Sequence, residues 1–453
     1  MILKLLNKNI FSLRPLVVIC LSIAFVLAAL MALNSGFDRH PDELHHFLAA
    51  RYYTHHFLPP IIGDPAVRET YSVWGVSYLN FQWVEYFLAG KFMLLLSPFV
   101  DQQTAARCFQ LFLFAAIGTF LTLRSKYAFE SLVLASFLLI TPQVWYIFSY
   151  VNNDACGLVV AFLIAYEFAI KDTLLERFLS GKQLTGGLIF GLLIGILLIC
   201  KTNYLSFILF ATFWLLARFG LNSILLRKYA LIAIVAVLVL SFRVGLDLYV
   251  NGETNLVGAS YINYLTGHMS SSGTKLAAYQ DEIADPKYRP SVVESNPAGT
   301  PPDVKMAAKG VPFLEIFSKW KWHRLSFRSF TGCYGYMTIF GPGTYYTLML
   351  VIYILFGTYV TIVLLRSRDQ QVIIQLIITG TFAITCILSS AYLSWTYAFQ
   401  AQGRYLFPIL PMIATLVATN PKLFNEKILF VLLLAAFAAS VYSFVFVGWA
   451  AMG

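Results

Sequence analysis

The sequence predicts an all-α membrane protein, a bundle of about eleven transmembrane helices with two sizeable loops on one face. Three observations predict it. Of 453 residues, 59% are hydrophobic and only 12% are charged, with a mean hydropathy of +0.72. Soluble chains run at roughly 45–50% apolar and about 25% charged, so lipid is the solvent for most of this one. The apolar residues also fall in continuous runs of about 17–23 residues, which fits helices crossing a bilayer. They do not alternate over roughly ten residues as barrel strands do, and helix and closed barrel are the two options open to a backbone in lipid.

The expected spans are 15–35, 104–123, 129–148, 155–171, 185–201, 203–219, 229–249, 344–365, 371–394, 405–419 and 428–449. The first has a basic flank (Lys4, Lys8, Arg14), but its apolar core exceeds that of a signal peptide, and it is expected to be retained. Residues 82–98 are apolar yet carry Glu85 and Lys91, which suits a helix in the interface beneath the first loop. With a cytoplasmic N-terminus, Arg124, Lys126, Lys171, Arg177, Lys182, Arg218, Arg227, Lys228, Arg366, Arg368, Lys422 and Lys427 all fall on the cytoplasmic side. The formal charge of +10 therefore has a topological meaning rather than a nucleic-acid one. Residues 1–453 form one transmembrane domain, with a first outer loop at 36–103 and a long outer loop at 250–343. There is no internal repeat. The six Cys lie mostly in or beside apolar runs, without metal-type or disulfide spacing, and read as small hydrophobes.

The candidate chemistry lies on the outer face. The first loop opens Phe37-Asp38-Arg39-His40-Pro41-Asp42-Glu43-Leu44-His45-His46, and five of the seven His fall between His40 and His56. Pro41 suits a helix's first turn, and Asp42 and Glu43 suit its dipole. Asp42, His45, His46 and Ala49 would then share a face. An acidic pair beside His is an acid/base site or, alternatively, a set of dipole partners with solvated His. Asp42, His45 and His46 could also supply ligands to a divalent metal, though no cofactor is required by the pattern. Asp154 is a second carboxylate at a span boundary on the same side, compatible with capping the next helix. Lys201 lies between two apolar spans, either as a functional cation or as a snorkelling one. Arg404 lies outside, against the charge rule, at the start of an outward-pointing helix. There it is a phosphate cradle or an interface anchor. Two carboxylate sites and two basic sites on one face are what transfer from a lipid-linked sugar phosphate needs: a base for the acceptor hydroxyl and cations for the leaving phosphate.

These residues also carry a resemblance. Pro41-Asp42-Glu43-Leu44-His45-His46, Asn152-Asn153-Asp154, Lys201-Thr202-Asn203-Tyr204, Phe330-Thr331-Gly332-Cys333-Tyr334-Gly335-Tyr336 and Gln402-Gly403-Arg404-Tyr405-Leu406-Phe407-Pro408 are scattered over most of the chain. In order and sidedness the chain resembles the GT-C superfamily of polytopic glycosyltransferases that use polyprenyl-phosphate sugars. It is most similar to the branch of protein O-mannosyltransferases and lipid A aminoarabinose transferases. The resemblance implies a GT-C-like bundle with juxtamembrane helices in the first outer loop. It implies an inverting hexosyl or pentosyl transfer at the outer face of a bacterial cytoplasmic membrane, onto a cell-envelope glycan or lipid such as lipopolysaccharide. It gives Asp42 the catalytic or substrate-positioning role, supported by Glu43, with Asp154 as the second acid. Lys201 and Arg404 would hold the donor phosphate, with His45, His46, Asn153 and Tyr405 lining the substrate pocket. The Lys-Pro pair often found after the acidic motif in the aminoarabinose branch is missing, which leaves donor sugar and acceptor open. A separate folded C-terminal periplasmic domain, as oligosaccharyl transferases have, is not expected, which counts against an oligosaccharyl transferase.

Two other readings stand beside it. A lipid-linked glycan transporter or flippase would keep its site near midplane, where Arg243 and Asp247 are the nearest polar pair. A glycan polymerase or ligase would share the lipid-phosphate chemistry. Lys319-Trp320-Lys321-Trp322-His323-Arg324 suits a helix at the lipid headgroups, or else a platform for sugar rings.

Overall fold

The computed structural model describes residues 13–80, 84–253 and 274–453. Within them the regular elements are helices apart from one short hairpin, and seven helices are long and apolar enough to cross a membrane. They are α1 (Leu13–Asn34), α4 (Gln102–Arg124), the segment Thr202–Phe219 that contains α10 (Leu205–Phe219), α11 (Ser223–Asn251), α16 (Gly343–Arg366), α17 (Gln370–Thr396) and the segment Glu426–Met452, which begins with α19 (Glu426–Ser443). The chain is thus an all-α, multi-pass membrane protein.

The remaining expected spans are helical but short or broken. Residues 129–148 form α5 (Phe129–Phe137) and α6 (Pro142–Ile147), separated at Leu138–Thr141. Pro142 causes the break: it removes an N–H and disfavours helical backbone at Thr141, whose side chain caps α6 by accepting from the Gln143 N–H. Irregular backbone at membrane depth survives only inside protein, and residues 131–155 are buried throughout. The segments α7 (Asp154–Ala169) and α9 (Thr185–Cys200), between which lies the short α8 (Leu174–Leu179), have 16 residues each. At about 1.5 Å per residue each falls somewhat short of a hydrocarbon layer of about 30 Å. A final short helix, α18 (Ile409–Thr419), follows a tight turn at Gly403–Leu406.

Small residues set the helix spacing. A Cβ on Gly191 of α9 would stand 2.8 Å from the Ile232 carbonyl oxygen of α11, so the two backbones meet only because it is absent. In the first loop, α2 (Glu43–His55) packs on α3 (Val84–Leu96), the helix expected at 82–98; Gln82 and Trp83 lie outside the described residues. Leu88, Leu94 and Leu95 on α3 are exposed, while Glu85 is buried.

The long loop expected at 250–343 lies against the first one: Trp74 stacks on Tyr288 at 3.9 Å, and the Asp285 N–H donates to the Val73 carbonyl. Its polar start, 254–273, lies outside the described residues. It includes α12 (Lys275–Ile283), α13 (Pro290–Ser295), α14 (Glu315–Ser318) and α15 (Trp322–Gly332), and closes with β1 (Cys333–Tyr334) and β2 (Ile339–Phe340). Trp322 is neither a headgroup anchor nor a sugar platform: it is buried and donates its indole N–H to Ser394, leaving Lys321, His323 and Arg324 exposed.

Candidate functional site

The acidic turn of the first loop places neighbouring carboxylates in opposite directions. The helix starts at Glu43, not at Pro41, and Asp42 precedes it in the left-handed region with φ 58°. Asp is one of the few residues that visit this region readily. His40 fixes the turn from below. Its ring lies flat on Tyr150 at 4.7 Å, and its nitrogens pair with Ser35 at 2.8 Å and with the Tyr146 hydroxyl at 2.9 Å. Glu43 then points inward, fully buried, and accepts two bonds from Arg107 at 2.7 and 2.8 Å. The other Arg107 donors go to the carbonyls of Ala32, Ser35 and Gly36, closing the end of α1. Glu43 therefore holds the loop in place and takes its ion pair from Arg107, apart from the cation that Asp42 and Asp154 share.

Asp154, a candidate site carboxylate whose position also suits a helix cap, does not cap α7 with its side chain. Instead the Asn152 carboxamide oxygen accepts from the N–H groups of Asp154 and Ala155, at 2.8 and 3.3 Å. This frees the Asp154 carboxylate, which pairs with Lys201 at the end of α9. Lys201 also donates to Asn153 Oδ1 at 3.1 Å, and it is held inside rather than snorkelling, with only 9% of its side chain exposed.

Arg404 joins the two halves. A Cβ on Gly403 would lie 2.0 Å from the Phe330 backbone nitrogen, so only glycine lets this turn press against α15 and seat the next residue. The Arg404 Nε–H donates to Gln402 Oε1 at 2.6 Å. Its two remaining nitrogens stand 3.5 Å from Asp42 and 3.6 Å from Asp154. Tyr405 turns its ring to Lys201 at 5.4 Å and fixes its hydroxyl on Gln400 at 2.6 Å. Asp42, Asn153, Asp154, Lys201, Arg404 and Tyr405 thus meet in one ionic cluster. It is graded in exposure: the Asp42 side chain is 47% exposed and that of Asp154 fully buried.

His46 is buried beside the cluster, stacked on Tyr78 at 4.1 Å, with Nδ1 on the Tyr86 hydroxyl at 2.6 Å. Burial, with Arg404 and Lys201 adding to it, holds its pKa well below the usual value, so the ring is neutral. His45 is only half-buried, so the face expected to hold Asp42, His45, His46 and Ala49 is split. Among the described residues no three His, Cys, Asp or Glu side chains are grouped to hold a metal ion. Asp42, His45 and His46 do not fit one.

Sequence reasoning missed Arg107, Gln110 and the role of Glu85. Glu85 accepts from Gln110 at 2.9 Å and from the Cys156 N–H at 3.2 Å, directly behind Asp154. Burial pushes its carboxyl up to about 8, against the lowering effect of those two bonds. The signal was available: Arg107 and Gln110 interrupt an apolar span, and Glu85 an apolar helix, where polar groups persist only with partners.

The fold and the site define a class, a multi-pass α-helical membrane protein with a partly open ionic cluster at one end of its bundle. No family model, curated protein or solved structure matches the chain.

Proposed function

We propose that the chain is a GT-C-type glycosyltransferase that moves a sugar from a polyprenyl-phosphate donor to a glycan or lipid acceptor. In this reading the chain crosses a bacterial cytoplasmic membrane eleven times, counting the short and broken segments, and the distribution of Lys and Arg supports a cytoplasmic N-terminus with the cluster at the outer face. The observation that carries the reading is Arg404, whose guanidinium stands 3.5 Å from Asp42 and 3.6 Å from Asp154 although the three come from distant segments. Both separations exceed a direct hydrogen bond. A phosphate can therefore enter between Arg404 and Asp42 and release that carboxylate.

In the reaction, the acceptor oxygen attacks the anomeric carbon as its proton passes to Asp42. The bond from that carbon to the phosphate oxygen breaks, inverting the centre. The polyprenyl phosphate leaves with the electron pair, and Lys201 and Arg404 stabilise its added charge. Asp154 is a positioning residue that orients both cations. Arg243 and Asp247 do not favour a transporter: both are buried and pair with each other, and Arg243 also reaches the Asn80 carbonyl of the first loop at 3.5 Å.

The test is transfer of labelled sugar from polyprenyl phosphate in proteoliposomes. Asp42→Asn should lower the rate about 10²–10⁴-fold while the protein remains folded. Undiminished transfer by that variant would remove Asp42 from the chemistry.

A further inference from the structure

The open end of the cluster carries an aromatic side chain that the reaction above does not use. Tyr336 lies in the turn joining β1 to β2 and is 50% exposed. A half-exposed Tyr is ordinarily free to rotate, but this one donates its hydroxyl to Asp38 Oδ1 at 2.5 Å. The same Asp38 oxygen accepts from the Leu44 N–H at 3.2 Å, and the Asp38 N–H donates to Glu43 at 3.1 Å. The ring is thereby pinned to the acidic turn on both sides of Asp42. Asp42 is close enough that its charge, after burial and Asp38, helps raise the pKa of the Tyr336 hydroxyl.

The hairpin beneath is rigid. Cys333 exchanges two 3.0 Å bonds with the Gln143 side chain. Tyr334 is fully buried and bonded to Ser443 at 3.0 Å. The tip closes through Gly335 and Met337, both at positive φ, with the Met337 N–H on the Gly335 carbonyl at 2.7 Å. Ordering an exposed ring on such a base costs side-chain entropy and adds little to the core. It does pre-organise a flat apolar surface with a polar rim.

We propose that Tyr336 is the platform of an acceptor-saccharide subsite, on which the apolar face of a pyranose stacks so that one of its hydroxyls meets Asp42. This rests on the transferase reading for the role of that hydroxyl, and on the hairpin geometry for the binding itself. A saccharide matches both parts of the surface, C–H groups on the ring and hydroxyls on the carboxylate rim. A lipid chain would leave Asp38 and Asp42 unused.

The experiment is saturation-transfer NMR on the full chain in nanodiscs with a panel of methyl pyranosides. Wild type should bind at least one, Tyr336→Phe should bind it within about threefold, and Tyr336→Ala and Tyr336→Leu should weaken it about tenfold or more. Size-exclusion profiles identify folded variants, and the Leu variant keeps bulk under the hairpin if the Ala variant does not fold. Wild-type affinity in a folded Leu or Ala variant overturns the platform, as does the lack of any pyranoside binding by wild type. Pyranoside binding that follows this pattern in a protein without transfer activity would retain the subsite and discard the transferase.

Discussion

Glu43 and Asp42 are consecutive, both are carboxylates, and both face an arginine, yet the two pairs are built differently. Arg107 spends every N–H it has, on Glu43 and on three carbonyls at the end of α1, and the whole arrangement is dry. Arg404 meets Asp42 at 3.5 Å, with nearly half of the Asp42 side chain in solvent. A saturated buried pair resists any third party, because a broken bond leaves a charge unpaired in low dielectric. A loose, half-solvated pair gives way to an incoming anion at little cost. The contrast teaches that function should be sought where an ion pair is incomplete.

The comparison breaks most visibly at its saturated side. Arg107→Ala or Glu43→Gln should destabilise the fold by about 3–5 kcal/mol, read as lost yield and a lower unfolding midpoint in detergent. Asp42→Asn should leave that midpoint nearly unchanged; an equal fall for Asp42 and Glu43 would erase the distinction. Between the two lies Lys201→Met, which takes the direct partner from the buried Asp154 carboxylate, leaves it only Arg404 at 3.6 Å, and should cost about 2–3 kcal/mol. Adding Asp154→Asn should restore most of that stability without restoring transfer. A double variant as unstable as the sum of the two singles would deny the coupling.

The smallest effect is pH-dependent. His46 is neutral when folded and titrates near 6.5 when unfolded, so the unfolded chain binds more protons below that value. Its contribution to stability is complete above about pH 6.5 and declines by up to about 1.4 kcal/mol per unit as the pH falls below it. His40, also lowered by burial, adds to the same slope. His46→Phe keeps the stack on Tyr78 and should shrink the loss of unfolding midpoint between pH 7.5 and 5.5. The same loss in variant and wild type would show that His46 takes up its proton without unfolding.

The fold class was legible because lipid imposes it: long apolar runs have no other solvent. The candidate cluster was legible for the complementary reason, since Asp42, Asp154, Lys201 and Arg404 are charged residues at the margins of such runs. What escaped was the partner of each. Nothing local to Glu43 announces Arg107, which sits in another helix, and it is Asn152, two residues earlier, that accepts from the first N–H groups of α7 and leaves the Asp154 carboxylate to Lys201. The expected third span is two helices rather than one, because Pro142 disfavours helical backbone at the residue before it, an effect that hydropathy does not register.

The seat of Arg404 against α15 has a consequence for biogenesis. Membrane segments emerge from the ribosome in order, and Asp154 meets its lysine soon after synthesis, whereas Asp42 waits until nearly the whole chain has been made. A truncated product would carry the acids and Lys201 without the guanidinium that bridges them. The segment after α17 thus completes the constellation, and under the proposed reading a shorter chain lacks one of the two cations that hold the phosphate.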